Sequence, residues 1–285
     1  MSPSSHSSTR KKASRQRDLQ RILQALEAAA VHLRSLPPRI LRQKSSRPGD
    51  ILTHADRDAD RLLRKMLLRK GEGWLSEESK DSRVRLSKSR VWEVDPLDGT
   101  REYSAGIPEW CVSIALVEDG EAVAGGILNP VTEELFLGSR ETGLRCEGIT
   151  TRARRTSRRG DVVVLASRSE VARGEWRCFS SAPFTALPVG SVAYKLALVA
   201  CGCADATWTF VPKNEWDVAA GVALVSAAGG GASTLGGIPP TFNRLDPRLD
   251  GLVAYSRRGR TALRRILMKT NTRWGKAASI LRRCL

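Results

Sequence analysis

From Trp110 to Gly138 the chain reads WCVSIALVEDGEAVAGGILNPVTEELFLG, three apolar runs separated by the turn pairs Asp119-Gly120 and Asn129-Pro130. This stretch reads as a strand meander. What precedes it has another period: LQRILQALEAAAVHL at 19–33 sets Leu19, Ile22, Leu23, Leu26 and Ala30 at helical spacing, and SLPP closes the segment. After the turn-like SSRPGD, the segment ILTHADRDADRLLRKMLLRKGEG marks a second helix through Leu62, Leu63, Met66 and Leu67, ended by glycines, with Asp56 near its start. RVWEVD, DVVVLASRS, ADATWTF and GLVAYS predict further strands. SVAYKLALVACGCA and EWDVAAGVALVSAAGG predict helices rich in small residues. A helix pair, then a meander, then helices among strands is the pattern of mixed α and β layers, an α+β fold, rather than strict βαβ alternation.

Size and composition set the outer bounds. A chain of 285 residues with 41% hydrophobic side chains can bury one large core or two smaller ones. No run of about 18 apolar residues predicts a membrane span, and MSPSSHSSTRKKASRQR lacks the apolar stretch of a secretory signal. Six cysteines without a CxxC pair predict reduced thiols and a cytoplasmic setting, with neither a zinc site nor a disulfide framework.

The net charge of +17 suggests a polyanion partner until it is located. Residues 1–18 hold five Lys/Arg against Asp18, and residues 256–285 hold ten and no acid, so the body between carries only +3. The expected organisation is a disordered basic arm over 1–18, a folded body over 19–255 with halves of about 19–150 and 160–255, and a basic helical extension over 256–285. The first part of that extension packs on the body and its end frays. The basic ends and the loop TRARRTSRRG at 151–160 read as solvated surface, with no specific nucleic-acid partner; the alternative is a polyanion binder on a vestigial body.

Chemistry concentrates in WEVDPLDGTREY at 92–103. A strand delivers Asp95 and Asp98 to its mouth, Pro96 stiffens the backbone between them, and Gly99 permits a close turn. Two carboxylates this near repel each other unless a hard divalent cation sits between them, and the Leu97 carbonyl is a natural further ligand. The amides of Gly99, Thr100 and Arg101 would hold phosphate as a helix start or nest. Taken alone, DPLDGT could equally be a turn with an Asx cap, and Asp217 or Asp56 a helix-capping acid.

Asp56 in ILTHAD, Glu77 in LSEES, the DPLDGT segment and Asp217 in WDVAAG stand in the order and approximate spacing of the inositol monophosphatase superfamily, which the chain resembles over about 19–255. The resemblance implies a layered αβαβα sandwich and a phosphomonoesterase dependent on two or three Mg²⁺ and inhibited by lithium. Glu77, Asp95, the Leu97 carbonyl, Asp98 and Asp217 would be its metal ligands. Asp56 and Thr100 would form a hydrogen-bonded pair that assists activation of the metal-activated water, and Glu77 would orient that water. Monomers and homodimers both fit the resemblance, and the partner it implies is a small phosphate ester.

Substrate choice turns on other positions. Where the inositol-specific branch holds sugar hydroxyls with a glutamate, this chain has Phe210, which cannot accept those bonds. FVPKNEWDVAAG, DGTREY and ASRS look more like the 3'(2'),5'-bisphosphate nucleotidase branch, although Glu170 stands where that branch commonly has histidine. The implied reaction removes the 3'-phosphate of adenosine 3',5'-bisphosphate; inositol, other sugar or histidinol phosphates are the alternative substrates. A second phosphate needs an extra cation, for which Lys195 and Arg168 are candidates, each of which could instead be a surface lysine or a strand-end ion pair. Gly190 and Ser191 resemble a substrate-contacting loop, and Phe210 is either a core aromatic or a stacking face for adenine.

Overall fold

Why the first helix forms is visible in one stripe: Ile22, Ala25, Leu26, Ala29, Ala30 and Leu33 recur at helical spacing and are at most 3% exposed. At about 1.5–3 kcal/mol for each fully buried Leu or Ile, that stripe secures the helix far better than propensity does. The computed structural model describes residues 3–36, 50–149, 162–269 and 275–285. In chain order the elements are α1 (Pro3–Ser35), α2 (Asp50–Leu67), β1 (Gly73–Ser76), β2 (Arg90–Asp98), α3 (Thr100–Ala105), β3 (Cys111–Glu118), β4 (Glu121–Leu128), β5 (Leu135–Ser139) and β6 (Gly143–Glu147). There follow β7 (Val163–Ser167), α4 (Arg168–Ala172), β8 (Thr185–Val189), α5 (Val192–Ala200), β9 (Ala206–Thr209), β10 (Lys213–Asn214), α6 (Glu215–Ala227), β11 (Gly231–Ser233), β12 (Arg248–Leu249), β13 (Leu252–Tyr255), α7 (Arg257–Lys269) and α8 (Gly275–Cys284).

The meander expected at 110–138 lies inside a six-stranded sheet of order β1-β2-β3-β4-β5-β6, antiparallel except for the parallel pair β1–β2. A second sheet runs β11-β13-β9-β7-β8, with β7 parallel to both β8 and β9. Three apolar clusters then define the layers. Side chains of α1 and α2 pack with Trp92, Ile114 and Leu116 on one face of the first sheet. Those of α5 and α6 fill the space between the two sheets. Leu263, Leu267 and Leu281 of α7 and α8 cover Trp208 and Val253 on the far face of the second sheet. The order is αβαβα. The layers sit close: a methyl group on Gly125 of β4 would lie 2.4 Å from the Ala220 carbonyl of α6, and one on Gly259 of α7 1.9 Å from that of Asp205.

The ends depart from expectation. Residues 3–18 are not a disordered arm but the first turns of α1. Arg15 is the reason: it is 2% exposed and its guanidinium meets Asp18, Glu118 at 2.8 Å and Glu141 at 3.5 Å, docking the basic segment on the first sheet by charge. Nor does the C-terminus fray. Ala278, Leu281 and Leu285 are buried, Ser233 donates to the Cys284 carbonyl, and Arg260 donates to the Leu285 carbonyl at 2.9 Å. The basic loop at 151–160 lies outside the described residues.

Candidate active site

In a regular strand residues three apart face opposite ways, so Asp95 and Asp98 should diverge. They do not, because β2 carries a bulge. Asp95 pairs with Ser113 and Asp98 with Cys111, so the β2 side holds one residue more than β3. The extra residue restores both carboxylates to the same mouth, and Pro96, which has no N–H to offer the ladder, falls inside the irregular stretch. The Leu97 amide donates to Asp95 Oδ1 at 2.9 Å. Gly99 then turns the chain with φ +103°; a side chain there would meet Trp110 Cβ at 2.9 Å and the Glu109 carbonyl at 3.0 Å, so only glycine fits. Thr100 opens α3 directly after it.

Other elements deliver the remaining acids. Because β1 runs parallel to β2 with Ser76 opposite Val94, Glu77 emerges beside Asp95. Asp217 is the third residue of α6, whose capping box with Asn214 uses one carboxylate oxygen, Oδ2, as acceptor of the Asn214 amide at 2.9 Å. Carboxylate oxygens of Glu77, Asp95 and Asp217 all lie within 4.8 Å of one another. Asp98 Oδ2 accepts from the Ser191 hydroxyl at 2.5 Å and the Ala193 amide at 2.6 Å, so the first turn of α5 fixes its orientation.

The electrostatics follow from this crowding. Burial and then Asp98, Glu77 and Asp217 push the Asp95 carboxyl well above its ordinary range. Burial, Asp98 and Glu78 raise Glu77 to about 7. Asp217 reaches about 7 through burial and Asp98, against the Asn214 amide, which lowers it. Among the described residues no Lys or Arg forms an ion pair with any of these acids. An all-oxygen donor set under mutual repulsion fits a hard divalent cation such as Mg²⁺ and suits soft or redox-active metals poorly.

The acids open on a cavity of about 390 Å³ that Gly99, Thr100, Arg101, Gly190, Ser191 and Lys195 also line. Lys195 is 4% exposed; its ammonium donates to the carbonyls of Ser191 at 2.7 Å and Val189 at 3.3 Å, and burial lowers its pKa to about 8. It is no surface lysine. Asp56, 7% exposed on α2, is raised to about 7 by burial, Glu78 and Glu77.

Three expectations fail here. The Asp56–Thr100 hydrogen bond is not made: Asp56 Oδ1 has no partner, and the Thr100 hydroxyl reaches the Leu97 carbonyl at 3.4 Å. Arg168 does not face the cavity but forms a forked ion pair with Glu109 at 2.6 Å and 2.7 Å, a charge partner 59 residues away. Phe210 packs on the outer apolar cluster instead of the cavity. Gly190 and Ser191 do line the cavity; the Gly190 amide donates to Glu109 at 2.7 Å and the Ser191 hydroxyl to Asp98.

Sequence reasoning passed over Lys213 and Arg173, which add positive charge to the cavity wall. It also left Glu170 unplaced; this buried carboxylate lines the cavity, accepting from Trp176 Nε1 at 3.1 Å and from the Thr209 hydroxyl. The Asn-x-x-Asp spacing of a capping box could have flagged Asn214; nothing local distinguishes Arg173 from a solvated arginine.

Comparison with known proteins is consistent with this geometry. The model of the inositol monophosphatase family matches residues 15–269, which takes in α7 and the docked part of α1. An inositol-1-monophosphatase of Mesorhizobium japonicum is 36% identical over 199 residues, 67% of this chain and 74% of its own. A 3'-phosphoadenosine 5'-phosphate phosphatase of Mycobacterium leprae is also 36% identical, over 215 residues, 68% of this chain and 75% of its own. The crystal structure of CysQ from Bacteroides thetaiotaomicron superposes with a TM-score of 0.71 at 29% identity, covering 85% of this chain and 97% of that one. With the layers, the acids and the cavity they open on in place, the chain is a phosphatase of the inositol monophosphatase family.

Proposed function

We propose that this phosphatase removes the 3'-phosphate of adenosine 3',5'-bisphosphate with the help of two or three Mg²⁺ ions. The observation that carries the substrate reading is Lys195. An ammonium has three protons to donate, and two of those of Lys195 go to backbone carbonyls, leaving one for the cavity that the acids also line. A buried cation beside a cluster of metal-binding acids suits a substrate with a second phosphate better than a neutral polyol. The Mycobacterium leprae relative, named for a bisphosphate nucleotide, supports the same choice, while the Mesorhizobium relative keeps inositol monophosphate as the second reading.

In this reading Glu77, Asp95, the Leu97 carbonyl, Asp98 and Asp217 hold the ions. When bound, these supply the positive charge that a phosphate dianion needs, make water nucleophilic near neutral pH and steady the departing oxygen. The chain's own groups do the rest. The turn at Gly99, Thr100 and Arg101 receives the phosphoryl group. Ser191 and Ala193 keep Asp98 aimed, and Glu77 orients water in the cavity. Glu170 braces Thr209 and Trp176 at the far wall.

Phosphate release from adenosine 3',5'-bisphosphate, inositol 1-phosphate, fructose 1,6-bisphosphate and histidinol phosphate, in Mg²⁺ with and without chelator, tests both parts. The expected result is chelator-sensitive turnover with the highest kcat/KM for the nucleotide. Faster turnover of inositol 1-phosphate would remove the substrate reading, and turnover indifferent to chelator would remove the metal.

A further inference from the structure

Ser191 stands at φ +49° and ψ 128°, a backbone conformation that an L residue rarely adopts, and it is the residue whose hydroxyl aims Asp98. Such a conformation persists only where its surroundings over-determine it. Lys195 supplies part of that hold, donating to the carbonyls of Ser191 and Val189. The rest crosses from the first half of the chain. Glu109, in the loop between α3 and β3, accepts from the Gly190 amide at 2.7 Å through Oε2. The same carboxylate is gripped by Arg168, the first residue of α4: Nη2 lies 2.7 Å from Oε1 and 2.6 Å from Oε2, and Nε 3.2 Å from Oε2. Arg168 Nη2 also reaches the Pro188 carbonyl at 3.3 Å. Every residue from 188 to 191 therefore has one backbone group held by Arg168, Glu109 or Lys195. Glu109 touches the opposite wall as well. A methyl group on Gly99 would lie 3.0 Å from its carbonyl, while one on Gly190 would lie 2.3 Å from Glu102 Cγ of α3. One residue thus spans the turn at Gly99 and the loop at Gly190, both of which line the cavity.

We infer that Glu109 is a positioning residue of the phosphatase, acting on Asp98 through Gly190 and Ser191, and that Arg168 holds it to that task. The inference rests on Asp98 being a metal ligand, as proposed above. The sequence of contacts assigns the parts. Arg168 fixes the plane of the Glu109 carboxylate, Glu109 fixes the peptide that enters Gly190, and the strained Ser191 that follows presents its hydroxyl to Asp98 Oδ2 at 2.5 Å. Without the carboxylate the Gly190 peptide is released and Ser191 relaxes to an ordinary φ. Its hydroxyl then leaves Asp98, which keeps only the Ala193 amide. A carboxylate that has lost one of two orienting donors binds a cation less tightly and less squarely. Arg168, which sits away from the cavity, acquires a role in the reaction without touching the substrate.

The test compares the full chain with Glu109→Leu, Glu109→Gln, Arg168→Met and Asp98→Asn. Three quantities are read: Mg²⁺ binding to the chelator-stripped protein by isothermal titration calorimetry, kcat on whichever phosphate ester the parent turns over fastest, and the thermal midpoint. Glu109→Leu is expected to raise the Mg²⁺ Kd by about 10-fold and to lower kcat by about 10–100-fold. Glu109→Gln keeps an oxygen for the Gly190 amide and should recover most of both losses. Arg168→Met leaves the Glu109–Gly190 bond but frees the carboxylate from its fork, so roughly 3–10-fold on each quantity is expected. A fall in thermal midpoint with Mg²⁺ Kd and kcat at parent values, in either Glu109→Leu or Arg168→Met, is what a merely structural clasp gives and would overturn the inference. If Glu109→Leu does not fold, Arg168→Met decides alone by the same criterion. Asp98→Asn separates the two levels. Parent-like Mg²⁺ binding in that variant removes Asp98 as a ligand and the inference with it. Weakened binding there, beside parent-like binding in the Glu109→Leu and Arg168→Met proteins, removes the inference and leaves the ligand.

Discussion

At the residue scale the proposed reaction rests on the acids and one lysine. Asp98→Asn keeps the volume of the side chain and an oxygen for Ser191 or Ala193, but removes a charge from the centre of the cluster. We expect kcat to fall by about 10²–10³-fold while circular dichroism and thermal midpoint stay near those of the parent. Lys195→Met keeps the apolar stem and removes the ammonium. The expected outcome is a KM for the bisphosphate raised by about 10–100-fold with kcat little changed and inositol 1-phosphate unaffected, since a contact to a remote phosphate acts equally in ground and transition states. Steady-state kinetics on both substrates read this directly. The convergence of Glu77, Asp95 and Asp217 was legible only from the four segments taken together, since an acid beside a glycine turn or at the head of a helix could alone equally be a cap. Arg168 was misread because a strand-end arginine looks the same whether it faces a ligand or a glutamate 59 residues away. Phe210 follows the same logic: sequence gives its chemistry but not the side of the sheet on which it packs.

Elements are held to one another by charge as well as by apolar packing. Glu72, between α2 and β1, accepts from Arg21 of α1 at 2.8 Å and from the Trp92 indole of β2 at 2.8 Å. Burial would raise its pKa, yet these bonds hold it down to about 2 from an ordinary 4.5. A depressed carboxylate stabilises the fold fully above its unfolded pKa and loses that contribution as pH falls through the folded one. Stability should therefore decline between pH 4.5 and 2 by roughly 2 kcal/mol on account of this group, and Glu72→Gln should flatten that part of the acid denaturation curve while lowering stability at pH 7. Helix and strand positions were readable from period, and the glycine turns from their residue pairs. The start of α1 was not. Ser/Arg-rich sequence reads as solvated tail unless one sees that Arg15 has Glu118 of β3 and Glu141 of the β5–β6 turn as partners. The bulge in β2 was equally hidden, because a spacing of three between acids fits a turn as well as a strand with one residue too many.

For the whole molecule the basic C-terminus is a structural layer rather than an appendage. Leu263, Leu267, Leu281 and Leu285 are each at most 5% exposed; at about 1.5 kcal/mol each, their burial is worth roughly 6 kcal/mol, comparable with the total stability of many domains. Deleting residues 257–285 should thus cost the cooperative fold, seen as loss of a thermal transition and of soluble yield, instead of leaving a trimmed but active enzyme. The arginines of this layer, Arg257, Arg258, Arg264, Arg265, Arg282 and Arg283, stand exposed on its outer surface. One last point follows from the reach of Ser191 and Ala193 to Asp98, and of Asp217 to Asp95. Neither half of the chain owns the reaction centre. A chain that has completed only its first sheet is expected to be catalytically silent, because Asp217 and the residues that aim Asp98 arrive with the second half.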